Sequence, residues 1–336
     1  MAIDIRTMDE DDIEQLERRL APEGRGRRTP RTDSRIRPSR LASGIEAYAE
    51  PTELEAGFEP TYHPSRYERA WLLSSLRPFY QDAVITDILS LAAGGKEASV
   101  YCCAAHPSTG RTLVAAKVYR PRQFRSLRND KLYREGREIL TEGGRTVNAG
   151  DQRIMRALGK KTAFGVQVAH TSWLMHEYAA LRALRAAGAD VPEPLAAHDN
   201  ALVMDYLGEP EMPAPTLHGT RLDLEEAPRL FQRVLKNVEI MLSLGMVHGD
   251  LSAYNVLYWE GEIKLIDFPQ VVSSTRNRAA RRLLSRDVTR ICQYFGRYGV
   301  QADAEEIIED LWYRHAEDAL TPEELLGDQY TGPQAP

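Results

Sequence analysis

Between His248 and Phe268 the chain carries an aspartate, an asparagine a few residues on, and a second aspartate beyond a tight turn. The stretch reads His248-Gly249-Asp250-Leu251-Ser252-Ala253-Tyr254-Asn255, followed by Leu265-Ile266-Asp267-Phe268. Val247 is the last apolar residue before the loop. Val256-Leu257-Tyr258-Trp259 predicts a strand, Glu260-Gly261 a turn, and residues 263–266 the return strand. A hairpin that short brings Asn255 and Asp267 back to one end, where one metal cluster could touch both. An Asp, an Asn and a second Asp so spaced suit transfer of a phosphoryl group, which needs a triphosphate placed and its charge neutralised. In that reading Asp267 holds Mg²⁺ on the phosphates and Asn255 holds a second metal. Asp250 accepts, or orients, the proton of the attacking hydroxyl.

Upstream segments fall in the order such a site needs. Residues 88–101 read as strand, glycine turn, strand. Gly94 and Gly95 free backbone amides to approach phosphate oxygens, with Lys96, Glu97, Ser99 and Val100 completing the turn. The turn is neither a GxGxxG nor a Walker loop, and taken alone it would also suit an ordinary hairpin. Leu113-Val114-Ala115-Ala116-Lys117-Val118-Tyr119 predicts a strand with one lysine inside it, a poor interior residue unless it meets a cleft or a partner. Residues 171–188 predict a helix, with Thr171 or Ser172 as N-cap and Gly188 as stop. Leu174, Leu181 and Leu184 put Glu177 on its apolar stripe. A carboxylate there, left unpaired, would cost several kcal/mol, roughly. Lys117 is its natural cation; the alternative is a Glu177 at the stripe's edge, reaching water.

Two further strands, 191–195 and 201–204, lead to Asp205-Tyr206-Leu207-Gly208. There a hinge would offer Met204, Tyr206 and Leu207 to an adenine edge. Asp223 and Glu226 have capping-box spacing, and the helix after them carries Leu230, Val234, Met241 and Leu242. Residues 71–80 predict a helix ahead of the first strand.

From about residue 85 to 298 the chain resembles the RIO kinase family of atypical protein kinases. Gly94-Gly95-Lys96-Glu97-Ala98-Ser99-Val100-Tyr101 is similar to that family's phosphate loop, with Gly94 and Ser99 as departures. Ile266-Asp267-Phe268-Pro269-Gln270 is similar to its Ile-Asp-x-x-Gln, in place of Asp-Phe-Gly. His248 through Asn255 is similar to its catalytic loop. Gly249 stands where ordinary kinases place an arginine that pairs with a phosphorylated activation loop. The stretch after Asp267 is short for an activation segment plus a peptide-binding lobe. The long, basic connection near 120–170 resembles the family's flexible loop, with Ser126, Thr141, Thr146 and Thr162 as candidate autophosphorylation sites.

The resemblance implies an α+β fold: a bilobal protein-kinase-like chain with a small N-lobe sheet, one Glu-bearing helix, and a reduced, mainly helical C-lobe. The expected divisions are a charged disordered tail (1–61), a helical extension (62–84), the N-lobe (85–207), the C-lobe (208–320) and a C-terminal tail (321–336). It implies ATP with Mg²⁺, or Mn²⁺ in its place, and transfer to serine or threonine. Lys117, Asp250 and Asp267 would be catalytic, Asn255 and Asp267 would hold metal, and Glu177 and Ser252 would line the nucleotide site. Two alternatives use the same residues. One is an ATPase switch acting through an aspartyl-phosphate at Asp267, with ribosome maturation as its setting. The other is a small-molecule kinase of the aminoglycoside or choline type, for which the chain looks short of a substrate lobe.

The net charge of −6 gives no global attraction to nucleic acid. The N-terminal tail is segregated, however: residues 4–17 are acidic, and residues 25–40 carry seven arginines. The tail reads as a solvated coil or as an arginine arm for ribosomal or other RNA phosphates. No apolar run is long enough to span a membrane, and the charged start argues against a signal peptide. Cys102, Cys103 and Cys292 lack metal or disulfide spacing, which fits a reducing cytoplasm. His248 is expected to brace the loop, Asp287 to pair within the last helices, and Ser252 to touch the phosphate or merely bond within the loop.

Overall fold

Residues 58–95, 98–119, 138–141, 144–148, 150–160 and 162–315 are described by the computed structural model, and all fall in one compact unit, residues 51–336. Residues 1–57 and 316–336, together with Lys96, Glu97 and Ser126, lie outside the described residues. The architecture is α+β, a small antiparallel sheet followed by a mainly helical half.

Five strands build the sheet: β1 (Ile85–Gly94), β2 (Ala98–Ala105), β3 (Leu113–Tyr119), β4 (Pro194–His198) and β5 (Ala201–Asp205). Their order is β1-β2-β3-β5-β4, antiparallel throughout. Alternation sorts the side chains of β2, β3 and β5 onto two faces. Tyr101, Cys103, Val114, Ala116, Val118 and Val203 face outward and are covered by Leu72, Leu76 and Phe79 of α1 (Arg66–Gln81). Ala115, Tyr119, Leu202 and Met204 face inward, toward Leu174, Leu181 and Leu184 of a long helix. Each fully buried Val, Leu or Phe among them contributes roughly 1.5–3 kcal/mol and each Ala less, so the sheet is held from both sides.

That long helix, α3 (Ala163–Ala186), begins well before the expected start at 171. Its N-cap is Thr162, whose hydroxyl accepts a hydrogen bond from the Gly165 amide at 3.2 Å. Thr171 and Ser172 are buried inside the helix instead. Ser172 Oγ accepts the Leu140 amide, so a residue with capping chemistry serves a tertiary contact. The stretch taken as a loop also contains a short helix, α2 (Gln152–Gly159). Gly188 follows α3 as its stop, as expected.

In the second half, β6 (Gly208–Glu209) and β7 (Met212–Pro213) form a small hairpin after the hinge. Helix α4 (Ala227–Ser243) follows. The capping box is not formed: Glu226 is the N-cap with no side-chain cap bond, because Tyr258 Oη donates to both its carboxylate oxygens. Then come β8 (Met246–Val247), β9 (Val256–Trp259), β10 (Glu262–Leu265), β11 (Val272–Ser273), α5 (Ala280–Gly296) and α6 (Ala304–His315). Leu230, Phe231, Val234 and Met241 of α4 pack with Leu284, Val288, Ile291 and Phe295 of α5, and with Leu311 of α6. Among the described residues, no helix is long and apolar enough to cross a membrane.

Candidate active site

The β9–β10 hairpin forms, its return strand starting one residue earlier than expected, with Val256 opposite Leu265 and Trp259 opposite Glu262. Its turn residues have φ +50° at Glu260 and +79° at Gly261, the doubly left-handed turn that matches strand twist. At the open end the Ile266 amide donates to Asn255 O at 3.0 Å, so Asn255 and the residue before Asp267 are locked together. A second ladder, β8 with β11, ties Val247 to Val272 and fixes the chain entering the catalytic loop against the chain leaving Asp267.

His248 braces this loop. The Asp250 amide donates to its Nδ1 at 3.3 Å, so its ring proton belongs on Nε2, which lies 3.1 Å from Ile266 O. Burial holds its pKa below the ordinary value, against the pull of the Ile266 carbonyl. The ring is therefore neutral near pH 7 and is a strut between Asp250 and Asp267. Gly249 has φ +82°, a conformation an arginine would adopt only under strain. Ser252 Oγ accepts the Tyr254 amide, which is the intraloop alternative for that residue.

From the other side, Lys117 Nζ lies 2.6 Å from Glu177 Oε1 and 2.7 Å from Asp267 Oδ1. Burial alone would lower the lysine's pKa; Asp267 and Glu177 outweigh it and hold the ammonium well above its ordinary value. Asp267 responds in kind. Burial pushes its pKa up, but the Lys117 charge and hydrogen bond keep it below the usual carboxylate range. Glu177 is 1% exposed and fully satisfied. Its Oε1 also accepts the Phe268 amide at 3.3 Å, and its Oε2 accepts Tyr119 Oη. Tyr119 was not singled out from sequence, although it shares the lysine's strand face two residues on.

The remaining expected residues divide. Val100 pairs with Lys117 across the sheet and shares its face, and Met204 pairs with Ala115 beside it. Gly94 pairs with Ser99 at the end of the β1–β2 hairpin. Gly95 closes the turn, its amide on Ala98 O at 2.9 Å. A Cβ on Gly95 would stand 2.8 Å from that same oxygen. Ser99 is not brought to the cleft: its hydroxyl is buried on the α1 side, hydrogen-bonded to Tyr101. At the hinge, Leu207 O accepts the Ala214 amide and Tyr206 Oη donates to Glu209 O.

Asp287 does more than was expected of it. It is buried on α5 among Leu283, Leu284, Val288 and Ile291, and besides pairing within the helix with Arg286 at 3.7 Å it accepts the Gly249 amide at 2.8 Å. Burial pushes its carboxyl up to about 7, with Arg286 and the amides of Leu251 and Gly249 pulling the other way. Its neighbours also reach the loop. Arg286 donates to Gly249 O, and Arg290 Nη1 lies 3.0 Å from Asp250 Oδ1. A carboxylate on an apolar stripe is the same signal that marked Glu177; the sequence marked Asp287 as structural but not its contact with the loop.

The donor set fits a hard cation. Asn255 spends its Nδ2 on Asp250 O at 2.8 Å, which leaves its side-chain oxygen for a metal, and only one oxygen of Asp267 is engaged by Lys117. Among the described residues there is no group of three or more His, Cys, Asp or Glu able to cage a metal by themselves. One carboxylate and one amide oxygen suit Mg²⁺, which takes few protein ligands and completes its shell from phosphates and water.

A family model described as the RIO domain matches residues 100–307. Serine/threonine-protein kinase RIO1 of Chaetomium thermophilum is 30% identical over 228 residues, 65% of this chain and 41% of that protein. The RIO-type serine/threonine-protein kinase Rio1 of Haloferax volcanii is 30% identical over 217 residues, 64% of this chain and 65% of that protein. The chain thus matches less than two thirds of the length of either relative. Among solved structures, the Rio2 kinase–ADP/Mg²⁺-phosphoaspartate complex of Chaetomium thermophilum aligns with TM-score 0.52 at 18% identity, over 84% of this chain and 78% of that one. It shares the fold.

Proposed function

The chain belongs to the RIO kinase family, and on that premise we propose that it transfers the γ-phosphate of ATP to serine or threonine hydroxyls, its own included, with Mg²⁺. The observation that carries the reading is Lys117 held between Glu177 and Asp267 at the end of the hairpin that also presents Asn255. Lys117 contacts the α and β phosphates, and Gly94 and Gly95 give backbone approach to the phosphates. Met204, Tyr206 and Leu207 meet the adenine end. Asp267 and Asn255 would hold Mg²⁺, which when bound offsets charge on the phosphates. The acceptor hydroxyl oxygen bonds to the γ-phosphorus as the bond to the ADP oxygen breaks, and its proton passes to the Asp250 carboxylate.

A second reading is ATP turnover through a phosphorylated Asp267. One observation favours it: the fold relative above is a phosphoaspartate complex. Purified protein incubated with γ-labelled ATP and Mg²⁺ separates the two. Acid-stable label on serine or threonine is the expected result. Hydroxylamine-labile label with steady phosphate release would replace it with the ATPase. Nucleotide binding with neither would reopen two readings, a small-molecule kinase and a nucleotide-binding scaffold without transfer.

The arginine-rich segment 25–40, outside the described residues, is assigned a ribosomal or RNA contact on its charge alone. RNA binding unchanged by deletion of residues 1–60 would refute that assignment.

A further inference from the structure

We propose that Arg290 is a positioning residue for the transfer: it occupies Asp250 Oδ1 so that Oδ2 alone is presented to the acceptor hydroxyl. The inference rests on the reading of Asp250 as the base. Arg290 Nη1 is 3.0 Å from Asp250 Oδ1, and Arg286 Nη2, one helical turn earlier on α5, is 3.8 Å from the same oxygen. Among the described residues, nothing bonds Oδ2.

The helix that carries these arginines is itself latched to the loop. Asp287 accepts the Gly249 amide, and Arg286 donates to the Gly249 carbonyl. Three residues of α5 thus address consecutive loop residues, Gly249 and Asp250 among them. With backbone and helix fixed, the remaining freedom is rotation of the carboxylate, whose terminal torsion is intrinsically broad. Arg290 removes it. A base acts only when its oxygen lies within hydrogen-bond reach of the proton it takes, and small displacements cost large rate factors.

The pair is poorly placed to serve stability. Arg290 and Asp250 side chains are 38% and 37% exposed. Ion pairs that open to solvent contribute little to folding. Removal of Arg290 should therefore leave the fold in place and report on orientation.

The test compares Arg290→Met, Arg290→Lys and Asp250→Asn in the full chain, following acid-stable label from γ-labelled ATP. Arg290→Met is expected to slow transfer at saturating ATP about 10- to 100-fold, below most of the roughly 10²- to 10⁴-fold a positioned acid or base supplies, because the base itself remains. The half-saturating ATP concentration should stay within about twofold, because the phosphate contacts are untouched. Arg290→Lys should recover part of the rate, and so should guanidinium added to Arg290→Met. An Arg290→Met protein at wild-type rate, beside an inactive Asp250→Asn, would overturn the inference and leave the base reading standing. Loss of rate, ATP affinity and melting temperature together, without guanidinium rescue, would also overturn it, as a structural effect. Full transfer by Asp250→Asn would instead overturn the base reading itself.

Discussion

The hairpin that presents Asn255 and Asp267 and the ion pair of Lys117 with Glu177 feed one site but are built on different scales. The hairpin is made of near neighbours, closed by a two-residue turn and a strand ladder. The ion pair joins residues 60 apart in the chain, one on a strand and one on a helix, and exists only when the sheet packs on that helix. Local turn chemistry fixes the first; burial fixes the second. The lesson is that the same site has one part whose geometry is set locally before Val256, Ile263 and Leu265 bury it in the core, and one part that exists only through packing.

The largest break in that comparison should come from Asp267→Ala, where the two parts meet. Turnover is expected to fall about 10³- to 10⁴-fold with loss of Mg²⁺-dependent nucleotide binding, which calorimetric titration with and without Mg²⁺ would register. The β9–β10 hairpin should survive.

Lys117→Met attacks the packed part. It strands the Glu177 carboxylate in the interior, a loss of about 3–5 kcal/mol by denaturant titration. The double variant with Glu177→Met should regain most of that stability while remaining inactive. A Lys117→Met protein as stable as wild type would show that Tyr119 and the Phe268 amide alone satisfy Glu177.

Asp287 asks how local the loop really is, since its support comes from α5. Its carboxyl is raised in the folded chain, to about 7. The folded state therefore binds the proton more tightly than the unfolded one. The associated stability is complete below about pH 4 and is lost as pH rises to about 7, at up to roughly 1.4 kcal/mol per unit. Asp287→Asn should flatten that slope in melting curves across this window. A slope that persists in the variant would assign it to another group.

The smallest effect belongs to the turn. Glu260 holds φ +50°, which asparagine tolerates better. Glu260→Asn should raise stability by about 0.5 kcal/mol and leave the nucleotide site unchanged.

These scales also explain what the sequence disclosed. The loop from His248 to Asn255, the hairpin and the place of Asp267 at its open end follow from spacing alone. The Lys117–Glu177 pair was legible because a charge on an apolar stripe demands a partner. The start of α3 was not, because Thr162 and Ser172 both have capping chemistry and only tertiary contacts decide which one caps. Glu226 failed as a box residue for a similar reason, since Tyr258 is closer to hand. Ser99 was assigned to the cleft by its place in the phosphate turn, whereas strand alternation sends its hydroxyl to the α1 side. The α5 latch went unread because nothing in Arg286, Asp287 and Arg290 says which loop lies beneath them.

Lys117 and Asp267 touch across 150 residues of chain, while Lys117 and Glu177 are separated by 60. During synthesis the sheet and α3 are complete long before Asp267 exists, so the lysine and glutamate can neutralise each other early. Asp267 arrives only once its hairpin has been made. At roughly 5–20 residues per second, the growing chain spends several seconds with the sheet and α3 already made and Asp267 still to come. The order of the residues is thus also a timer: Lys117 and Glu177 are both present well before the second carboxylate that joins them.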